Sequence, residues 1–309
     1  VATISHEIMA QLAGAPFTKM TGSGNDFVVF DGREVPHELV TRPEVVRAIC
    51  DRHNGVGADG LVVLEPVPSA GTTTSEGSGS GPALLLKYFN RDGTQGELCG
   101  NATLCSTTLA VRSGLAPADS VRLETDSGSV HARLVNEEPE IDIAPVRAIR
   151  IDHSDAIPLP ADRQRAGYVR VGVPHVVIVV SDEAALHQID VAGEGRPLRQ
   201  PSSLQPDGAN VNWVAPLADG RWAYRTYERG VEDETLACGT GAIAAAILLT
   251  TWRMTHGPVV LVTRSGRPVT VTLRAGGQPT VGRAEWLPSL RGEGRVVFRG
   301  TLHDLQTLD

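Results

Sequence analysis

Two cysteines in this 309-residue chain stand directly before a glycine at the head of a run of small and apolar residues, Cys99-Gly100-Asn101-Ala102 and Cys238-Gly239-Thr240-Gly241. Both runs, 98–112 and 239–252, read as helices, so each thiol is expected at a helix start. Unpaired N–H groups and the positive end of the helix dipole bind a carboxylate there and lower the pKa of a neighbouring thiol. Two such ends around one small anionic ligand would supply a pair of thiols able to take and return a proton. An isolated Cys-Gly is better read as a small buried residue, and it is the matched pair in repeated contexts that reverses this in favour of chemistry.

The remaining cysteines differ. Cys50 falls in the apolar phase of Val45-Val46-x-x-Ile49-Cys50, and Cys105 lies well inside its helix, so both are expected to fill core. Among the histidines, His175 is singled out because Gly172-Val173-Pro174-His175 interrupts two strands, where a loop would expose it to a cleft. Glu228-Arg229-Gly230 ends a strand ten residues before Cys238 and offers a carboxylate beside a fixed cation. Arginine at that position can grip a carboxylate bidentately, and an exposed ion pair is the plainer alternative.

The elements that must carry these groups follow an order that occurs twice. A short helix at 6–12, a strand at 27–30, a helix at 43–52 and strands at 60–64 and 84–89 precede the first Cys-Gly helix, and strands at 121–124, 129–134 and 140–143 follow it. Strands at 168–173, 176–180, 211–214 and 221–227 precede the second, with strands at 259–263 and 269–273 after it. Gly24-Asn25-Asp26-Phe27-Val28 is echoed by Ala209-Asn210-Val211-Asn212-Trp213-Val214. This is the pattern of a duplicated α+β unit of about 140 residues. Residues 66–82, almost wholly Pro, Gly, Ser and Thr, read as a flexible insertion.

Composition narrows the function classes. The net charge of −8 argues against a dedicated nucleic-acid binder. Four cysteines without a C-x-x-C pair suit free thiols in a reducing compartment, and the histidines show no H-E-x-x-H or ligand spacing, so no metal site is expected. No apolar run reaches the roughly eighteen residues a membrane helix needs, and Val1 to Ala15 lacks a leader pattern. A soluble, cytoplasmic protein is the expectation. Only Lys19 and Lys87 among the 28 basic residues are lysine, which leaves little room for a pyridoxal Schiff base or a P-loop. Gly55-Val56-Gly57-Ala58-Asp59-Gly60 matches G-x-G-x-x-G in letters, but a helix precedes it and a strand follows, the reverse of a dinucleotide site.

Taken in order, these residues resemble the diaminopimelate epimerase family. The resemblance is carried by Phe17-Thr18-Lys19-Met20-x-Gly22-x-Gly24-Asn25-Asp26-Phe27, by Phe89-Asn90-x-Asp92-Gly93 before Cys99-Gly100-Asn101, and by Pro174-His175 and Asn210-Val211-Asn212. Glu228-Arg229-Gly230 before Ala237-Cys238-Gly239-Thr240-Gly241 completes it, over roughly residues 17 to 300. The resemblance implies an α+β fold of two pseudo-symmetric domains, each a mostly antiparallel sheet wrapped around a central helix. The domains would be 1–143, with 296–309 as a candidate completing segment, and 144–295.

It also implies a cofactor-independent isomerase, usually a homodimer, that interconverts LL- and meso-diaminopimelate in lysine and peptidoglycan-precursor synthesis. Its partner would be that small molecule, with neither nucleic acid nor membrane involved. On this resemblance Cys99 and Cys238 exchange the roles of base and acid, and His175 and Glu228 deprotonate or orient them. Helix-start groups of Gly100, Asn101, Gly239 and Thr240 would stabilise the reacting carboxylate. Asn25, Asn90, Asn210, Glu228 and Arg229 would bind substrate, with the asparagines and the arginine at its distal, non-reacting end. Three positions depart from the family pattern: Val173 replaces an asparagine, Leu104 an arginine, and Gly60 stands where some members place glutamine. Two other readings stay open, a racemase of another amino acid such as histidine or proline, and an amino-acid-binding protein without turnover.

Overall fold

The structure, a computed structural model, describes residues 6–67, 83–96, 99–150, 152, 163–199, 208–276, 285–303 and 305, so most of the 66–82 insertion lies outside the described residues. The chain divides into two compact units, Val1–Ile141 with Glu293–Asp309, and Asp142–Gly292.

The first unit contains α1 (His6–Leu12), β1 (Pro16–Gly22), β2 (Asn25–Asp31), α2 (His37–Val40), α3 (Pro43–Cys50), β3 (Gly60–Pro66), β4 (Ala83–Asn90) and β5 (Gln95–Gly96). It continues with α4 (Gly100–Arg112), β6 (Val121–Thr125), β7 (Gly128–Val135) and β8 (Glu138–Asp142). The second holds β9 (Ile149–Arg150), β10 (Arg163–Val171), β11 (Val173–Val180), α5 (Glu183–His187), α6 (Val191–Leu198), β12 (Asn210–Pro216), β13 (Trp222–Glu228) and β14 (Asp233–Thr235). Then come α7 (Gly239–Thr251), β15 (Val259–Val262), β16 (Pro268–Ala275) and β17 (Trp286–Arg291), and β18 (Arg295–Thr301) returns to the first unit.

Strand pairing makes the duplication explicit. In the first unit β1 and β2 are antiparallel, β2 and β3 parallel, β3 and β4 antiparallel, and β4 takes β5 antiparallel and β6 parallel before the β6–β7–β8 meander. In the second the same sequence of relations runs β10, β11, β12, β13, then β14 and β15, then β16 and β17. Each parallel step has a connection long enough for the crossover that parallel pairing requires. Within each unit one long helix, α4 or α7, packs along the sheet.

Short helices cover the other face. In β2 and β3 the period of two sends Val28, Phe30, Leu61 and Val63 to a cluster with Val45, Val46, Ile49 and Cys50 of α3. In the second unit Ile178, Trp213 and Tyr227 meet Leu186 of α5 and Val191 of α6. Asp182 and Asp190 cap these two helices by accepting from Ala185 N at 2.8 Å and Gly193 N at 3.0 Å. Burying one such aliphatic or aromatic side chain contributes about 1.5–3 kcal/mol.

The central helices solve burial differently. α7 is apolar almost all round, as a helix enclosed by sheet requires. α4 is enclosed too, yet carries Thr103, Ser106 and Thr107; their hydroxyls donate to the carbonyls of Cys99, Ala102 and Thr103 at 2.9, 2.8 and 2.8 Å, so no polar group among these three is buried unbonded. Among the described residues no helix is long and apolar enough to cross a membrane.

Candidate active site

In the first unit Cys99 is the N-cap of α4, with extended backbone angles of −120° and 112°, and its carbonyl accepts the Thr103 N–H at 2.9 Å. The thiol makes no capping bond. The helix supplies no acceptor for the N–H groups of its first turn at Gly100 and Asn101. Asn101, nearly fully buried, donates through Nδ2 to Asn25 Oδ1 at 2.7 Å, while its own Oδ1 is a buried acceptor with no hydrogen-bond partner. Asn25 in turn donates to Asp59 Oδ2 at 3.2 Å. Asn90 ends β4, where its Nδ2 donates to Thr94 Oγ1 at 3.1 Å.

A charge network anchors Asn25 from behind. Asp59 accepts from Arg52 at 2.7 Å, and Asp26 accepts from Arg52 at 2.8 and 3.1 Å and pairs with the buried Lys19 at 2.8 Å. Lys19 also donates to the Gly57 carbonyl. Lys19 is therefore a structural cation within this network. Burial alone would raise the Asp26 carboxyl, but the bonds from Arg52 and Lys19 win and hold it down at about 2.

A carboxylate depressed by folding stabilises above its unfolded pKa and loses that contribution as pH falls through the folded value. The window here is from the ordinary 3.8 down to about 2. Asp26→Asn is expected to cost roughly 2 kcal/mol at neutral pH, with the difference from wild type shrinking through that acid window. Urea unfolding of both proteins as a function of pH measures this, and a pH-independent difference contradicts it.

In the second unit Cys238 is the N-cap of α7, with angles of −130° and 109°, and its carbonyl accepts the Ala242 N–H at 2.9 Å. Its sulfur lies 3.5 Å from Thr240 Oγ1, and its thiol is hydrogen-bonded to the Glu228 carboxylate. Glu228, the last residue of β13, also accepts a short bond from Thr235 Oγ1. Burial raises the Glu228 pKa, and the bonds from Thr235 and Cys238 lower it by less. Asn210 Oδ1 accepts the Arg229 backbone N–H at 2.8 Å, which fixes the chain where Glu228 and Arg229 emerge.

His175 corrects an expectation. No loop separates the strands at 172–175: β10 ends at Val171, β11 begins at Val173, and His175 is a fully buried strand residue paired with Asn210 of β12. The hairpin is tight because β11 must also align parallel to β12, which draws His175 into the ladder. Burial, and then the positive charge of Arg229, push its pKa down to about 3, so the imidazole is neutral across the physiological range.

The His175 proton can be placed. Asn212 Oδ1 accepts from Tyr224 OH at 2.9 Å and Thr226 Oγ1 at 3.0 Å, and Asn212 Nδ2 donates to the Val176 carbonyl at 2.9 Å. That amide orientation leaves Nδ2 facing His175 Nδ1 at 3.3 Å, so Nδ1 accepts and Nε2 carries the hydrogen. Tyr224 OH also lies 3.2 Å from the Cys238 carbonyl, tying the network to the cap of α7. A Cβ on Gly241 would collide with both Asn212 Oδ1 and Tyr224 OH, which requires glycine in the first turn of that helix.

Cys99, Gly100, Asn101 and Asn25 thus gather around the start of α4, Asn90 stands at the end of β4 opposite Gly60 of β3, and Cys238, Gly239, Thr240, Glu228, Arg229, Asn210 and His175 lie around the start of α7. Asp59, Thr235, Asn212 and Tyr224 were not singled out by type and spacing. For Asn212 the signal was present: Asn210 and Asn212 share one face of an otherwise apolar strand. Cys50 and Cys105 lie in core, where burial raises both thiols, Cys50 to about 12.

A family model described as diaminopimelate epimerase matches residues 17–149 and 167–287. A diaminopimelate epimerase of Gemmatimonas aurantiaca is 48% identical over 291 residues, covering 94% of this chain and 99% of its own. Among solved structures, a PhzF-family phenazine biosynthesis protein of Bacillus anthracis superposes with a TM-score of 0.67 at 14% identity, over 93% of this chain and 98% of its own. A hydroxyproline epimerase of Agrobacterium vitis with bound trans-4-hydroxy-L-proline gives 0.63 at 18% identity, over 94% and 93%. At such identities these two establish the fold alone.

Proposed function

The chain belongs to the diaminopimelate epimerase family, and on that premise we propose that it interconverts LL- and meso-diaminopimelate by passing protons through Cys99 and Cys238. The observation that carries the mechanism is the matched placement of both thiols as N-caps of the central helices. One thiolate takes the α-proton, breaking C–H and forming S–H; the other thiol delivers a proton to the opposite face, breaking S–H and forming C–H. No electrons are gained or lost overall, and the thiols exchange states with each turnover, so the reverse reaction uses them in swapped roles.

An amino-acid α-proton is far less acidic than a thiol, so negative charge developing at carbon and carboxylate must be stabilised. Oriented N–H groups of the first turns at Gly100, Asn101, Gly239 and Thr240 suit that task without reorganising during reaction. Glu228, hydrogen-bonded to the Cys238 thiol and raised by burial, accepts a proton from it more readily than an exposed carboxylate. His175, neutral and protonated at Nε2, acts as a hydrogen-bond donor to developing negative charge. Asn25, Asn90, Asn210 and Arg229 hold the distal amino-acid end, where strict recognition is compatible with inversion at the other centre.

Incubating the protein with LL-diaminopimelate in deuterated water without added cofactor tests this reading. Meso product carrying one α-deuterium is expected. Absence of both product and label overturns it, and label in proline or histidine instead would establish a racemase of that amino acid. A cytoplasmic homodimer is part of the proposal: β18 pairs with β1 on one side, and its Val297 and Phe298 are about half exposed. A monomeric mass by sedimentation equilibrium would exclude the dimer.

A further inference from the structure

The distal-end residue Asn90 has an attachment that neither its motif nor the family match assigns. In β4 the alternation places Leu84, Leu86, Tyr88 and Asn90 on one face and Phe89 on the other, with the outer cluster. The Tyr88 ring lies between two strands, paired with Val62 of β3 and Gly96 of β5, and packs edge-on against Phe27 with centroids 6.1 Å apart at 77°. Both flanking positions lack a side chain. A Cβ at Gly60 would stand 2.6 Å from Tyr88 Cε2, and one at Gly96 2.5 Å from Cδ1. A Cβ at Gly60 would also stand 2.7 Å from the Phe89 carbonyl oxygen, so the ring and the β4 backbone together leave no room for a side chain at 60.

The ring's position brings its hydroxyl to Asn90, donating to Oδ1 at 2.9 Å, while Asn90 Nδ2 donates to Thr94 at 3.1 Å. With each end of the amide engaged once, the group cannot turn over without breaking both bonds. Its hydrogen-bonding capacity then leaves one N–H and one lone pair, on fixed sides. A donor and an acceptor fixed in this way suit a ligand end that carries both an ammonium and a carboxylate.

We propose that Tyr88 is the positioning residue that sets specificity at the distal end: it occupies the space that a side chain at residue 60 would take and fixes the orientation of the Asn90 amide toward the substrate's second amino-acid group. The proposal rests on the epimerase reading above. Gly60 and Gly96 are the cradle that admits the ring, and Asn90 is the group through which it acts.

Tyr88→Phe removes the hydroxyl and keeps the ring packing. The measurements are kcat and KM for LL-diaminopimelate, and the inhibition constant of L-2-aminopimelate, which lacks the distal amine. In the variant KM is expected to rise about tenfold with kcat within about threefold, because binding to the non-reacting end is uniform between ground and transition states. The inhibition constant should rise by less than KM does, since the analogue keeps the distal carboxylate but lacks the ammonium that the oriented Asn90 Oδ1 would accept from. An unchanged KM, an equal loss for both compounds, or a fall confined to kcat overturns the role assigned to Tyr88. A wild-type protein that neither turns over nor binds LL-diaminopimelate overturns the epimerase reading itself and this proposal with it, a result separable from the others because it appears before any substitution.

Discussion

Cys99→Ala and Cys238→Ala are each expected to lower epimerisation by at least about a thousandfold, since on the proposed mechanism each deletes a group that transfers a proton in the transition state. The informative result lies in what survives. With one thiol left, the protein can still remove the α-proton from the face that thiol serves and return a solvent proton to the same face. Each variant should therefore exchange the α-hydrogen of only one epimer of diaminopimelate, without inversion, and the two variants should choose opposite epimers. Mass and chiral analysis of both epimers recovered from deuterated water reads this directly. Inversion at near wild-type rate in either variant, or the same epimer exchanged by both, is incompatible with one thiol per face. Folding is not expected to suffer, because neither thiol makes a capping bond to its helix and alanine preserves the backbone donors of the first turn.

The second large effect is at Glu228. Glu228→Gln keeps the size and can still accept from Thr235, but it can no longer accept a proton from Cys238. A kcat lower by about a hundredfold is expected, with KM moved much less, because the loss falls on proton transfer. The pH profile supplies the sign. Burial raises the Glu228 pKa above the ordinary 4.5, against smaller opposing bonds from Thr235 and Cys238. On the proposed mechanism activity needs the ionised carboxylate, so it should decline as pH falls through that raised value. The acid limb should vanish in Glu228→Gln, whereas a limb retained unchanged would assign it to another group. His175 supplies no such limb, since its pKa of about 3 keeps it neutral throughout the working range.

The starts of the two central helices were readable in the sequence because capping is local chemistry: a Cys-Gly pair, a change in hydrophobic pattern and a repeat are visible without tertiary contacts. The strands around them were readable wherever apolar residues ran or alternated, as in β3 and β11. What escaped was decided across strands. Whether Gly172 to His175 forms an open loop or a tight hairpin depends on β11 aligning with Asn210 of β12, far along the chain. The segment 296–309 was expected to complete the first domain, but β18 is not legible in it as a strand, because most of its residues stay exposed and leave no burial alternation, and it is held by its ladder with β1. α6 contains two glycines and a proline, a poor helix by composition, and it forms where Asp190 caps it over the Tyr227 ring. Tyr88 was visible as a strand residue, but the cradle made by Gly60 and Gly96 exists only once three strands are in register.

The return of β18 to β1 also sets an order in time. Thr18 to Thr21 sit between two ladders, one to β2, made within a few residues, and one to β18, which the ribosome adds only after the whole second unit has emerged. Nascent β1 therefore waits with one edge bare through the synthesis of residues 142–292, while that stretch, continuous in sequence, already holds every strand of its own sheet. The half that begins first is completed last, and closing it joins the most distant contacts in the chain, the step whose loop-closure entropy is greatest. Charged Arg295 and Arg299 on the late strand, and Lys19 on the waiting one, are the kind of residues that discourage a bare edge from pairing with the wrong partner in the meantime.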